Sequence, residues 1–412
     1  MLALNLNPDR YAGKTIMIIG AGYIQEPAVR IAKKLGLRVL AVDQDPQAPG
    51  LRWADLPLLI STSELAACTE AGRQQQINGV MSMGSEQGAR TAAAVAHNLG
   101  LPGIPVEVAE SFTNKVSIRR IMQEQQIPSP RFFICRTKLE AHKALLQLGL
   151  PLIVKPPDCH SSFGVTKVEK PEDFEWALER AAAFSHGETW VIEEYIQAVA
   201  HGGGVESFVV DGEIHIVTII TGKPTAPPYC TYHQVNLPVD LPEPLARSVT
   251  DFIAKVIRAT GITNGPVHIQ YRYTADGPKL IELSPRLGGI CLNSRLIPLA
   301  LGVNLIQAAI DVCLGLTPDL TPRFRRGACQ HFITLPPGIV EKTPALDHDL
   351  FSVPGLFEIR LLIKPGDLIP EYHSFALAPG YCITHGDTPE EAVRNAEEVC
   401  RQIAAGIVMK GQ

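Results

Sequence analysis

The sequence predicts a protein of mixed α/β and α+β class, with a parallel sheet at the N-terminus followed by antiparallel hairpins. Three observations carry this. Short apolar strands alternate with helical patterns over the first hundred or so residues, as in a doubly wound parallel sheet. Two later stretches, "VESFVVDGEIHIVTIIT" and "VHIQYRYTADGPKLIELSPR", read as hairpins turning on Asp-Gly. The tail "GDTPEEAVRNAEEVCRQIAAG" opens a helix with Thr388 as N-cap, Pro389 at the first helical position and Glu391 as the capping-box acid.

The elements follow in order. "KTIMIIGAG" is a buried strand entering a glycine turn, "EPAVRIAKKLG" a helix, and "LRVLAVDQD" and "INGVMSMGSE" further strands. "GAGYIQ" places Gln25 where a dinucleotide fingerprint needs a small residue, so a tight turn is the expected role of Gly20 and Gly22. In "SFTNKVSIRRIMQEQQIPSPRF", Ser111 or Thr113 can cap a helix that stops at "IPSP". "LPLIVKPP" is a strand ending in Lys155, followed by the loop "DCHSSFGV", the helix "PEDFEWALERAAAF" and the strand "TWVIEEYI". "PLARSVTDFIAKVIRATG" is a long helix between the hairpins. The connection "TGKPTAPPYCTYHQVNLP" reads as too polar and proline-rich for a core element.

Bulk properties bound the function. A chain of 412 residues exceeds one simple core, and about two to four domains are expected. Hydrophobic content of 46% with 19% charged residues describes a well-buried globular protein. A net charge of −5 argues against a general nucleic-acid or membrane-surface partner, while leaving room for a local basic pocket. Nine cysteines without a CxxC pair read as reduced thiols and point to the cytoplasm. The start, "MLALNLNPDRYAGK", has no signal-peptide pattern, and no apolar run reaches bilayer length.

The chemistry concentrates in "LIELSPRLGG". Glu282, Ser284 and Arg286 alternate along a strand and so share a face, beside Gly288 and Gly289, where a ligand can approach the backbone. If the hairpin turn centres on Asp276, Gln270 lies opposite Glu282 and His268 opposite Ser284. One acid flanked by neutral oxygen ligands suits a hard cation that completes its shell with water and phosphate. Lys115 and Lys155 sit at element boundaries, where an ammonium reaches an anion while its stem stays packed. The small "SSFG" after Lys155 can wrap backbone N–H groups and hydroxyls around phosphates. Strand ends facing the cleft add Gly22, Tyr23, Asp43 and Glu86 as substrate candidates.

Taken together, "NKVSIRRIMQEQQIPSPRF", "PLIVKPPDCHSSFGV", "VIEEYI" and "HIQY…GPKLIELSPRLGG" resemble the ATP-grasp superfamily in order and spacing. The pattern resembles most the branch of L-amino-acid ligases and carbamoyl-phosphate-synthase-like carboxylate–amine ligases. The resemblance implies a Rossmann-like pre-ATP-grasp domain over 1–110, a small mobile lid with its linker over 111–190, a larger antiparallel ATP-grasp subdomain over 191–322 and a C-terminal domain over 323–412. It implies that Lys115 and Lys155 contact ATP phosphates beneath a lid loop containing Ser161, Ser162 and Gly164. Glu193, Glu194, Tyr195 and Ile196 would form the adenine-binding hinge, and Glu206 would hold the ribose. Gln270, Glu282 and Ser284 would hold Mg2+ or Mn2+, and Arg286 the carboxylate or acyl phosphate. Tyr232 and His233 would border the amine or acyl pocket.

Two departures bear on the metal. Gln270 stands where glutamate is common in the superfamily, though carbamoyl phosphate synthases also use Gln, and Ser284 replaces the usual Asn. The implied function is ATP-dependent joining of a small carboxylate to an amine through an acyl phosphate, with no nucleophilic protein side chain. Cys159 is then a packing residue, and a homodimer is an assembly common among such enzymes. The alternatives are carboxylation through carboxyphosphate, disfavoured by the absence of Q-V-E-H after the arginine, and a catalytically weak nucleotide-binding regulator, motivated by Gln270 and Ser284.

Overall fold

The computed structural model describes residues 7–158, 161–185, 189–199, 202–289, 291–346 and 352–410. Its first sheet is parallel, in the order β3-β2-β1-β4, with β1 Thr15–Ile19, β2 Arg38–Val42, β3 Leu56–Leu58 and β4 Gly79–Met81. β1 is buried along its whole length, which is why it reads as a continuous apolar run rather than an alternating one. Helices Glu26–Lys34 and Glu86–Leu99 pack on this sheet. Gln25 fills the glycine turn after β1: its amide donates to the Met83 carbonyl at 2.7 Å, and its side chain covers Gly20, whose φ is +92°. The turn is closed by protein, as its imperfect fingerprint implied.

A second sheet, antiparallel and ordered β5-β8-β6-β7, holds β5 Phe132–Cys135, β6 Leu152–Lys155, β7 Thr166–Val168 and β8 Trp190–Glu194. Helices Lys138–Leu148 and Phe174–Ala183 cover it, each contributing alanines to a small separate core. The helix leading into this unit spans Lys115–Glu124 and is capped by Asn114, whose side chain accepts from the N–H groups of Val116 and Ser117. The expected caps differ because a short helix over Val106–Ser111 precedes it, and Ser111 ends that helix.

The third sheet has eight strands: β9 Gly202–Val210, β10 Glu213–Pro224, β11 Tyr232–Leu237, β12 Gly265–Thr274, β13 Gly277–Ser284 and β14 Gly327–Ile333, then β16 Leu356–Leu361 and β18 Gly380–Gly386. A three-stranded sheet of β15 Gly338–Lys342, β17 Leu368–Ile369 and β19 Val408–Met409 lies beside it in the C-terminal region. The large sheet runs β13-β12-β9-β10-β11-β14-β18-β16 and continues across the boundary expected at 322/323. The "TGKPTAPPYCTYHQVNLP" connection is largely sheet: β10 runs to Pro224, and β11 joins β10 to β14, burying Gln234 and Leu237. Ladder pairing to β10 and β14 makes it a strand although it buries the polar Gln234, so low hydrophobicity did not make it a loop.

The large sheet has two chemically different faces. Val205, Val209, Val267, Ile269, Leu280 and Leu283 pack against Val249, Phe252, Ile253, Val256 and Ile257 of the helix Glu243–Thr260. The alternate positions, His268, Gln270, Glu282 and Ser284, face the other way, with His268 opposite Ser284 and Gln270 opposite Glu282 as expected. The route to that register differs from the expectation. Thr274 pairs with Gly277, a tighter turn that alone would put Gln270 opposite Ile281. A bulge at Ile281 inserts the extra residue and turns Glu282 back onto the polar face.

Among the described residues no single helix is long and apolar enough to cross a membrane; the apolar pair Leu292–Leu301 and Leu305–Cys313 is bent by 115° and belongs to the core. The described cysteines are free thiols, and Cys159 lies outside the described residues. The terminal helix Pro389–Ala405 starts as expected: Thr388 Oγ1 accepts from the Glu391 N–H at 3.2 Å. Glu391 reaches back one residue further than a standard capping box, to the Asp387 N–H at 2.7 Å. Thr388→Ala should lower unfolding free energy by about 1 kcal/mol in denaturant titrations, with an unchanged slope.

Candidate active site

Three elements deliver the two lysines to one place. Lys155 ends β6, and the carbonyl of Pro157 just beyond it accepts from the Lys115 backbone N–H at 3.2 Å. The start of the helix Lys115–Glu124 is thereby tied to the end of the lid strand. Lys155 Nζ lies 2.7 Å from Glu193 Oε2, and Lys115 Nζ lies 3.9 Å from Glu282 Oε1. Glu282 remains about a third exposed, whereas Glu193 is buried.

Glu193 is held from a second side by Arg119, with Nε at 2.6 Å from Oε1 and Nη2 at 3.2 Å from Oε2. Arg119 is 2% exposed and donates again, from Nη2 to the carbonyl of the bulge residue Ile281 at 2.6 Å. One guanidinium therefore links the linker helix, the lid sheet and the strand carrying Glu282. Arg119 was not singled out from sequence. Its signal was an arginine one turn after Lys115, beside Ile118 and Met122, which belong to a buried face.

The electrostatics follow from this geometry. Burial pushes the Lys155 ammonium down to about 8, against the pull of Glu193. Burial alone would raise the Glu193 carboxyl, but Arg119 and Lys155 override it and hold it at about 2. Among the other hinge residues, Glu194 accepts from Arg131 Nε at 2.6 Å and lies 3.7 Å from Lys279 Nζ. The N–H groups of Glu194 and Tyr195 donate to the carbonyls of Arg131 and Pro151, and Ile196 is buried.

Glu206 is fully buried on the polar face of the sheet, with Oε1 2.5 Å from His268 Nδ1 and Oε2 without a hydrogen-bond partner. A β-carbon at Gly288 would meet Glu206 Oε1 and the Leu292 side chain, so a larger residue there would displace them, while at Gly289 it would meet nothing within 4 Å. Arg286 donates from Nε to Glu86 Oε1 at 3.1 Å and from Nη2 to the same oxygen. Glu86 opens the helix Glu86–Leu99, so this pair joins the N-terminal domain to the reaction strand. Asp43, by contrast, is engaged in its own loop, accepting from the Ala21 and Asp45 N–H groups. The Gly22 carbonyl accepts from Gln25 and Glu26, and the Tyr23 hydroxyl bonds to that of Tyr381.

The loop over 161–164, expected from sequence to be a lid, rests on the C-terminal region. Ser161, Ser162 and Gly164 all have positive φ, and the Ser161 carbonyl accepts from Ser374 Oγ at 2.7 Å. His233 stacks on Tyr372 at 5.7 Å, and the Tyr372 hydroxyl donates to the Tyr232 carbonyl at 2.7 Å. Burial raises the Tyr232 phenol, against the opposing pull of Arg272. His233 faces the C-terminal segment through its stack on Tyr372.

Among the described residues no three His, Cys, Asp or Glu side chains gather into a metal cluster. The hard-oxygen set on the polar face has one carboxylate, Glu282, with the Gln270 amide opposite it and Ser284 buried deeper. Such a set fits Mg2+ only where phosphate and water supply the remaining ligands.

Arg119→Ala removes two buried donors to Glu193 and the donor to the Ile281 carbonyl, and should cost about 2–4 kcal/mol in denaturant titrations. The Glu193 carboxyl titrates near 4.5 when unfolded and near 2 when folded, so the unfolded chain binds the extra proton between those values. Stability should fall as the pH drops through that window, and Glu193→Gln should flatten this limb of the curve.

Comparison with known proteins identifies two domains. Residues 148–294 match the ATP-grasp domain, and residues 331–408 match the L-amino acid ligase C-terminal domain 2. The uncharacterized protein y4rH of Sinorhizobium fredii (strain NBRC 101917 / NGR234) is 25% identical over 76% of this chain and 64% of its own length. Carnosine synthase 1 of Homo sapiens is 24% identical over 92% of this chain and 49% of its own. The chain thus spans about half to two thirds of the length of these curated relatives. The crystal structure of L-amino acid ligase from Bacillus licheniformis superimposes with a TM-score of 0.79 at 22% identity, covering 97% of this chain and 99% of that one. The chain thus carries an ATP-grasp domain followed by an L-amino acid ligase C-terminal domain.

Proposed function

We propose that this protein is an ATP-dependent carboxylate–amine ligase that joins a small carboxylic acid to an amine, an amino acid or short peptide. The observation that carries the reading is the convergence of Lys115 and Lys155 on a strand whose exposed carboxylate, Glu282, is followed by the Arg286–Glu86 pair. Cations for phosphates come from the helix start and the end of β6, the oxygen ligands from the large sheet, and the guanidinium from the turn just after it.

In this reading Lys115 and Lys155 bind the ATP phosphates, with Glu193 and Arg119 fixing where the Lys155 ammonium points. The hinge carbonyls and Ile196 receive the adenine, and Glu206 lies on the ribose side. Gln270, Glu282 and Ser284 hold Mg2+, which neutralises phosphate charge when bound. Arg286 exchanges Glu86 for the substrate carboxylate and aims one of its oxygens at the γ-phosphorus, and ADP leaves. The amine then attacks the acyl carbon, phosphate departs, and Glu86, freed from Arg286, accepts the proton lost by the amine. The lid loop closed by Ser374 keeps water from the acyl phosphate.

Sustained ADP release should need both an acid and an amine, acid alone giving at most one ADP per enzyme, and Glu282→Gln should lower kcat about a hundredfold or more. ADP formation with bicarbonate alone would instead favour the carboxyphosphate reaction. Because Lys155 must be charged to hold phosphate, Mg-ATP affinity should weaken as the pH rises through about 8, with uptake of a proton on binding. Calorimetry in buffers of different ionisation enthalpy measures that uptake, and Lys155→Met should abolish it.

A further inference from the structure

Beyond the lysines and the reaction strand, a groove of about 560 Å3 lies between the helix Glu26–Lys34, the turn around Cys291 and Arg295, and the edge strand β16. Two Arg–Glu–Arg clusters line it. Glu26 lies 3.2 Å from Arg52 and 3.9 Å from Arg30, and also accepts from Trp53 Nε1 at 3.0 Å. Glu358 lies 2.9 Å from Arg295 and 3.0 Å from Arg360, and accepts from the Tyr381 hydroxyl at 3.1 Å. One carboxylate cannot neutralise two guanidiniums, so each cluster leaves a positive charge over. Lys34 adds another.

The groove is cationic, yet its walls include Ile24, Pro27, Ile31 and Phe357, the last 41% exposed. Its inner end adjoins the reaction strand. Ile24 packs into the space a side chain at Gly84 would occupy, Gly84 approaches Gly289, and Cys291 lines the groove two residues further on.

The ligase reading creates a need that Arg286 cannot meet. An amino acid acting as the amine keeps its own carboxylate through the reaction. If that carboxylate lay at Arg286, it would be the one phosphorylated. A second receptor must hold it away from the γ-phosphate, and a guanidinium-rich groove with apolar walls has the matching chemistry.

We propose that this groove binds the free carboxylate of the amine substrate, an amino acid or short peptide with an apolar side chain, beside the site where the other carboxylate is activated. The proposal rests on the ligase reading but is tested without turnover. N-acetyl-L-leucine mimics the C-terminal residue of a product, and N-acetyl-L-leucinamide is the same molecule without the charge. Isothermal titration of the full chain should show the acid binding at least about tenfold tighter than the amide. That preference should disappear in Arg360→Gln, weaken in the surface variant Lys34→Gln and persist in Arg286→Gln. Equal binding of the two probes to the unaltered protein overturns the proposal. So does a preference that survives Arg360→Gln and vanishes in Arg286→Gln, because the carboxylate is then read at the reaction strand. Failure of every acid–amine pair to release ADP counts against the ligase reading separately.

Discussion

Glu193 is the point on which the arrangement depends. It is a buried carboxylate clasped by Arg119 and Lys155, and through Arg119 it is fastened to the bulged strand that carries Glu282. The linker helix, the lid sheet and the large sheet each contribute one part. Two well-packed apolar residues would hold these elements together as well or better, because desolvating such charges is costly. What they would not do is hold a buried ammonium at the end of β6. The network is best understood as a means of keeping Lys155 both fixed and available.

The large sheet turns that charge pattern into a surface. Strand alternation separates the apolar face, covered by the helix Glu243–Thr260, from the face that bears His268, Gln270, Glu282 and Ser284. The bulge at Ile281 keeps Glu282 on the polar side and leaves a carbonyl for Arg119. Just beyond the end of the strand the Arg286–Glu86 pair brings in the N-terminal sheet region, so groups from both halves of the chain meet there. A site assembled from several domains is protected from water when they close together, which an acyl phosphate requires.

Much of this was legible in the sequence, for identifiable reasons. The strand–helix alternation, the hairpins and the Thr388 cap are local patterns with local causes. The pairings Gln270–Glu282 and His268–Ser284 were read correctly, although the turn is tighter than the reading assumed and the bulge makes up the difference. Arg119 escaped because its partner Glu193 lies far away in sequence, and nothing local distinguishes a buried arginine from an exposed one. Asp43 accepts from its own loop, because an acid at a strand end serves its loop as readily as a ligand. The strand Tyr232–Leu237 was hidden because tertiary pairing between β10 and β14, not local hydrophobicity, makes it a strand.

The central claim is that the chain activates a carboxylate by phosphorylation before amide formation. Oxygen-isotope transfer tests it most directly. The carboxylic acid is labelled with 18O in both oxygens, and the phosphate released during turnover with Mg-ATP and an amine is analysed by mass spectrometry. Passage through an acyl phosphate carries one labelled oxygen into each phosphate, which is the expected result. Unlabelled phosphate, with both labelled oxygens elsewhere, would contradict the account.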